Sequence, residues 1–186
     1  MSGSDAADAA LSEAIALHQR VRSAGLDTTV AAAQAIVTSL RTGGKVLVFG
    51  NGGSAADAAH AAAELVGRFR RERRGYAAIA LTADPSVLTS IANDYGYDRV
   101  FARQIEALGQ PADVAFAITT SGESVNAVRA LETARAQGLT TIALTGRDGG
   151  TAGRLADIHV NVPSDATPRV QEVHRTLLHV ICDLVE

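Results

Sequence analysis

The stretch Val46-Leu47-Val48-Phe49-Gly50-Asn51-Gly52-Gly53-Ser54 decides the fold. Four consecutive apolar residues run into a glycine-rich turn, and a helix-like segment then extends to Val66. A strand apolar on both faces is one covered from both sides, and a turn of this kind can admit an anion at the start of the following helix. Within that helix His60 and Glu64 stand four residues apart and therefore share one face. Anion binding and acid–base or metal chemistry meet in a single turn-and-helix unit.

Moving outward, four further apolar runs repeat the first: Ala78–Leu81, Val114–Ile118, Thr141–Leu144 and Ile158–Val162. Helix-like segments fall between them near Ser54–Val66, Pro85–Ala92, Ser124–Gln137 and Thr151–Leu155. Strand alternating with helix predicts an α/β fold with a five-stranded parallel sheet between two helical layers. Two helices precede the sheet, about Asp5–Ser23 and Thr28–Thr42, with Ser4 and Asp27 as candidate N-caps. A last helix runs from about Pro168 to the end, with the proline in its first turn.

The chain has 186 residues, 47% of them hydrophobic and only 4% aromatic, so its core is built from Ala, Val, Leu and Ile. One domain is expected over 1–186, with residues 1–43 as a helical extension. The Ala-rich N-terminal helices carry more apolar surface than a small sheet needs, and an oligomer would bury it. A net charge of −3 argues against nucleic acid or an anionic membrane as partner. No apolar run reaches the roughly 20 residues of a membrane span, and residues 1–10 lack the basic-then-apolar order of a secretory signal. The single cysteine, Cys182, reads as a packing residue and fits a reducing cytoplasmic location.

In a doubly wound sheet, ligands bind at the C-terminal ends of the strands. Three polar loops leave such ends: Gly50–Ser54, Thr119-Thr120-Ser121-Gly122-Glu123-Ser124, and Thr145-Gly146-Arg147-Asp148-Gly149-Gly150. The second is the best phosphate cradle, because four hydroxyls and helix-start N–H groups converge there. Gly50-x-Gly52-x-x-Ala55 formally matches a dinucleotide fingerprint, but the ribose-binding acid is missing: the first acid after the next strand is Asp84. A P-loop is excluded, since Lys45, the only lysine, precedes the turn. A small phosphorylated metabolite is the better ligand.

The last helix adds Gln171, His174 and His179. Gln171 and His179 are eight residues apart, roughly 12 Å along the axis, which is awkward for two ligands of one ion unless long side chains or two subunits bridge the gap. His174 points away from His179 and reads as structural or interfacial, while His18 and His159 read as surface residues. Asn93-Asp94, beside Tyr95-Gly96-Tyr97, reads as an ordered loop able to hold sugar hydroxyls. The basic run Arg68–Arg74 reads as an exposed, solvated segment, or alternatively as a lure for an anionic substrate.

Together these segments resemble the sugar-isomerase (SIS) domain, and within it the phosphoheptose isomerases, which act on sedoheptulose 7-phosphate. The resemblance spans essentially the whole chain. Its most specific parts are Phe49–Ser54, Ala92–Gly96, Thr120-Ser121-Gly122, Leu144–Gly150 and Arg169–His174. It implies a flavodoxin-like three-layer fold and a homotetramer with active sites where subunits meet. Substrate contacts are implied for Asn51, Gly52, Gly53, Asn93, Asp94, Thr119, Thr120, Ser121, Ser124 and Gln171, to which the first loop adds Ser54 and the chemistry adds Glu64. It further implies zinc, one per subunit, on His60, Glu64, Gln171 and His179, with Glu64 and His179 carrying the proton transfers. Glu123 departs from the family, where Asn is common, and puts a negative charge beside the phosphate loop.

Two rivals accompany this reading. Non-catalytic relatives bind the bacterial replication initiator protein; they can lose the last-helix histidine and the middle serine of Thr-Ser-Gly, both kept here as His179 and Ser121. Sugar-phosphate-sensing regulatory domains are usually fused to a DNA-binding unit, for which 186 residues leave no room.

Overall fold

β1 (Val46–Gly50) is fully buried and lies inside a five-stranded sheet. The computed structural model describes residues 2–186. In chain order the elements are α1 (Gly3–Ala24), α2 (Asp27–Arg41), β1, α3 (Gly53–Val66), β2 (Ala78–Ala80), α4 (Pro85–Tyr95), a 3₁₀ turn (Tyr97–Arg99) and α5 (Ala102–Leu108). They continue with β3 (Val114–Thr119), α6 (Val125–Ala136), β4 (Thr140–Gly146), α7 (Gly150–Leu155), β5 (Ile158–Val162) and α8 (Thr167–Val185). Every strand pair is parallel and the spatial order is β2-β1-β3-β4-β5. This is the flavodoxin-like order, with its topological switch point between β1 and β3.

Alternate residues of each strand serve different layers. Val46, Val48, Val114, Phe116 and Ile118 pack with α1, α2, α3 and α8. Leu47, Phe49, Ala115 and Ala117 pack with α4, α5, α6 and α7. Burying both faces removes the polar alternation, which is why the inner strands β1, β3 and β4 read as mainly apolar runs. Asp113 ties the start of β3 to β1: its carboxylate accepts from Lys45 N (2.9 Å), Lys45 Nζ (2.6 Å) and Gln110 N (2.9 Å).

Several local expectations are corrected. Ser2, not Ser4, caps α1, in a reciprocal box with Asp5. Asp27 is the first helical residue of α2 rather than its cap. α4 extends to Tyr95, so Asn93 and Asp94 lie in its last turn and not in a loop; Asp84 caps its start through Ser86 N and Val87 N. α5 is an unassigned helix in the sequence reading, formed where Phe101 reaches across to Phe49, with ring centroids 5.4 Å apart. Cys182 is a buried packing residue as expected, and burial pushes its thiol up to about 12.

Candidate functional site

The switch point brings the first two polar loops side by side, since Gly50 pairs in register with Ile118. Contact is close: a Cβ on Gly50 would stand 2.5 Å from Ile118 O. Asn51 is held by a reciprocal amide pair with buried Asn126 (2.8 and 2.9 Å) and by Tyr97, whose hydroxyl donates to Asn51 Oδ1 at 3.0 Å. Gly52 adopts φ 58°, ψ −121°, which turns the chain into α3, and Ser54 is buried in the first turn.

In the second loop Thr119 is buried and its Oγ1 lies 3.1 Å from Ser124 Oγ and 3.4 Å from Ser121 Oγ. Thr120, Ser121 and Ser124 remain half-buried. Ser124 occupies the N-cap position of α6 but makes no side-chain capping bond. The first N–H groups of that helix thus keep their donor capacity, as an anion seat requires.

The third loop is a buttress rather than a third seat. Ala152 N donates to Gly122 O (2.9 Å), and a Cβ on Gly122 would stand 2.1 Å from Gly149 O. Glu123 turns onto this buttress: its carboxylate accepts from Thr151 N (2.7 Å) and Thr151 Oγ1 (2.9 Å), with Arg154 beside it. Those bonds hold its carboxyl below the usual range. The charge is therefore spent on α7, not on the hydroxyl loop.

His60, Glu64 and His179 converge between α3 and α8. His60 Nε2 lies 2.8 Å from His179 Nε2 and 3.3 Å from Glu64 Oε1. One donor atom from each falls within 4.8 Å of the others, and all three side chains are half-buried. Two imidazoles and a carboxylate are a zinc donor set. Ligands at about 2.0–2.1 Å on one tetrahedral ion stand roughly 3.3 Å apart. The His60–Glu64 distance already matches, and the histidine pair must open by only about half an ångström, within side-chain rotation. The residues fit the ion.

The two helices run parallel and in step, with Gln171 against Gly53 and His179 against His60. Gln171 thus sits over the start of α3, and the predicted 12 Å rise separates it from the histidine pair within one protomer. A cleft of about 830 Å³ along this helix pair is lined by Gly53, Gln171 and His179, and also by Asp57, Arg175 and His18. Asp57 is buried and ion-paired to Arg175.

Four other histidine and arginine expectations meet their outcome here. His18 is half-buried, bonded to Thr176 Oγ1 at 2.9 Å, not a free surface residue. His159 is also half-buried, 2.7 Å from Thr145 Oγ1, because Gly149 and Gly153 leave room for its ring; burial lowers its pKa. His174 is structural as expected: fully buried, with Nε2–H donating to Thr145 O at 3.0 Å and its pKa lowered by burial. The basic run is not wholly solvated: Arg73 folds inward to donate to the carbonyls of Glu64 and Leu65. Asn93 and Asp94 are exposed and bonded to each other (2.8 Å); Tyr97 links their segment to Asn51. From sequence Tyr97 reads only as part of an ordered loop and not as a site residue, and Asn126 is not singled out at all; the polar first turn of α6 is the signal for Asn126.

Residues 11–146 match the SIS domain. A phosphoheptose isomerase from Roseiflexus sp. is 56% identical over 157 residues, covering 84% of this chain and 80% of the relative. Among solved structures, a phosphoheptose isomerase from Neisseria gonorrhoeae has a TM-score of 0.94 at 42% identity, covering 99% of this chain and 98% of its own. Another from Francisella tularensis has a TM-score of 0.96 at 38% identity, covering 100% and 98%. The chain belongs to the SIS-domain family and, within it, to the phosphoheptose isomerases.

Proposed function

We propose that this chain is an aldose–ketose isomerase that converts sedoheptulose 7-phosphate to D-glycero-D-manno-heptose 7-phosphate in heptose biosynthesis. The observation that carries the reading is the convergence of His60, Glu64 and His179 between α8 and α3, the helix that begins beside a hydroxyl-rich anion seat. The replication-initiator alternative is unsupported: the curated relatives are phosphoheptose isomerases, and His179 and Ser121 are both present.

The phosphate is taken by the hydroxyls of Thr119, Thr120, Ser121 and Ser124 and by the free N–H groups of α6. Asn51, Gly52, Gly53, Ser54, Asn93, Asp94 and Gln171 hold the sugar. Glu64 Oε1 faces His60, which leaves Oε2 to remove the proton from C1 of the opened ketose and return it to C2 of the enediolate. His179 moves the hydroxyl proton between O2 and O1. His60, Glu64 and His179 would hold one zinc ion per subunit, and Gln171, roughly 12 Å back along α8, could join them only from another copy of the chain; the ion when bound would supply Lewis-acid polarisation of the carbonyl.

The chain is read as one SIS domain over 1–186, in a cytoplasmic homotetramer with subunit-interface sites. Exposed Leu11 (66%) and Ile15 (59%) on α1 support burial against another copy. Among the described residues no helix is long and apolar enough to cross a membrane.

Conversion of sedoheptulose 7-phosphate, followed by NMR of the sugar, tests this directly. Glu64→Gln and His179→Ala are each expected to lower turnover by about 100-fold or more. Chelation should abolish turnover and zinc restore it. Wild-type turnover in either variant refutes the roles; an inactive wild type refutes the function.

A further inference from the structure

The two helices that carry the triad are joined at their far ends by one side chain. Glu186, immediately after α8, has a completely buried side chain (0% exposed) although it is ionisable. Its carboxylate accepts from three successive backbone N–H groups, Phe69 (2.7 Å), Arg70 (2.8 Å) and Arg71 (2.8 Å), and from Arg73 Nε at 3.1 Å. Burial alone would raise its pKa, but these donors outweigh it and hold the carboxyl down to about 2.

Arg73 passes the connection to α3. Its Nη2 donates to Glu64 O (2.9 Å) and its Nη1 to Leu65 O (2.9 Å) and Gly67 O (3.3 Å), so it satisfies carbonyls that the end of α3 leaves unpaired. The guanidinium also lies 4.0 Å over the Tyr76 ring. The backbone that Glu186 grips carries Phe69, whose ring stacks on His179 with centroids 5.3 Å apart and planes 28° from parallel. One carboxylate thus fixes the end of the helix bearing His60 and Glu64, and through Phe69 the ring of the histidine on the other helix.

We propose that Glu186, acting through Arg73 and Phe69, is a positioning residue that sets His179 against His60 and Glu64. It touches neither substrate nor reacting atoms. The proposal rests on the isomerase reading for its kinetic arm only. A buried carboxylate with four donors holds one geometry, because each lost donor leaves a desolvated group unpaired. The triad needs that precision, since misplacement by about 1 Å can cost about 100-fold in rate.

The test uses the full chain and the variants Glu186→Ala, Glu186→Gln and Phe69→Leu, with circular dichroism as the check on folding. In Glu186→Ala, kcat for sedoheptulose 7-phosphate is expected to fall by about 10- to 100-fold with KM little changed, and Glu186→Gln, which keeps one acceptor oxygen, to fall between. Independently of activity, the Hε1 resonance of His179, assigned against His179→Gln, is expected to lose its ring-current shift in Phe69→Leu and in Glu186→Ala. An inactive wild type would refute the isomerase reading and leave the resonance to decide the positioning claim. Unchanged kcat and unchanged resonance in folded Glu186→Ala overturn it. So does a Glu186→Ala chain that fails to fold while Phe69→Leu keeps both wild-type kcat and the wild-type resonance.

Discussion

Gly122→Ala puts the anion seat under the most direct test. Gly122 has φ 69°, a conformation that costs an L side chain about 1–2 kcal/mol. The added Cβ would also stand 2.1 Å from Gly149 O, 2.5 Å from Gly149 C and 2.8 Å from Gly150 N. All three are backbone atoms of the buttress, so no side chain can swing aside. Forcing a methyl group into packed surroundings costs about 1–3 kcal/mol further. The sum, about 2–5 kcal/mol, corresponds to a Tm lowered by roughly 5–15 °C in a chain of this size. Gly138→Ala is the control: φ is 79°, yet its Cβ would meet only Pro111 Cβ at an ordinary 3.7 Å, so strain acts without the clash. Thermal unfolding should separate the two variants by several degrees. In the isomerase assay Gly122→Ala should raise KM for the sugar phosphate, because Thr119, Ser121 and Ser124 move with the loop, while Gly138→Ala should not. Equal melting temperatures, or an unchanged KM in Gly122→Ala, would refute the buttress argument.

Asp113→Asn should cost about 2–4 kcal/mol in urea unfolding, because an amide cannot satisfy the three donors of Lys45 and Gln110 and adds one of its own; a loss below about 1 kcal/mol would contradict this. Glu186 gives an acid-side signature. Its folded pKa is about 2, below the unfolded carboxylate, so its contribution is complete above the unfolded pKa and is lost as pH falls through the folded one. Amide-exchange protection of Phe69 and Arg70 should therefore decline between about pH 4 and pH 2, and Glu186→Gln should flatten that decline.

The centre of the sheet was legible because both faces of β1, β3 and β4 are covered, so those strands announced themselves as buried, mainly apolar runs; the edge strands β2 and β5 are only partly buried. α5 was not, since seven residues with Arg103, Gln104 and Glu106 carry little pattern, and the Phe101 contact that fixes them is tertiary. The basic run misled for the same reason: its organiser is a carboxylate 113 residues away. Glu123 looked like a charge beside a phosphate loop, and only the fold reveals Thr151 as its partner. His159 looked external on an edge strand, and only the glycines opposite it make the space that takes it in. His60 and Glu64 were readable as a pair from helical spacing alone. That His179 completes them followed from the resemblance, because no periodicity links residues on different helices.

The parallel course of α3 and α8 ties the two halves of the proposed site to one substrate length. Gly53 and Gln171 mark the level of the anion seat, and His60 and His179 the level of the acid–base groups. Seven residues of α3 separate these levels, a rise of roughly 10 Å. The seat lies at the start of α6, beside the start of α3 across the switch point, while the triad stands two turns along α3, where the field of those helix starts has faded. An open-chain heptose with phosphate on its last carbon can place its phosphate at the first level and its C1–C2 pair at the second. A three-carbon sugar phosphate anchored in the same seat cannot reach Glu64. The geometry accordingly favours long-chain ketose phosphates, and turnover of a triose phosphate at a rate comparable to the heptose would show that seat and triad do not act on one molecule.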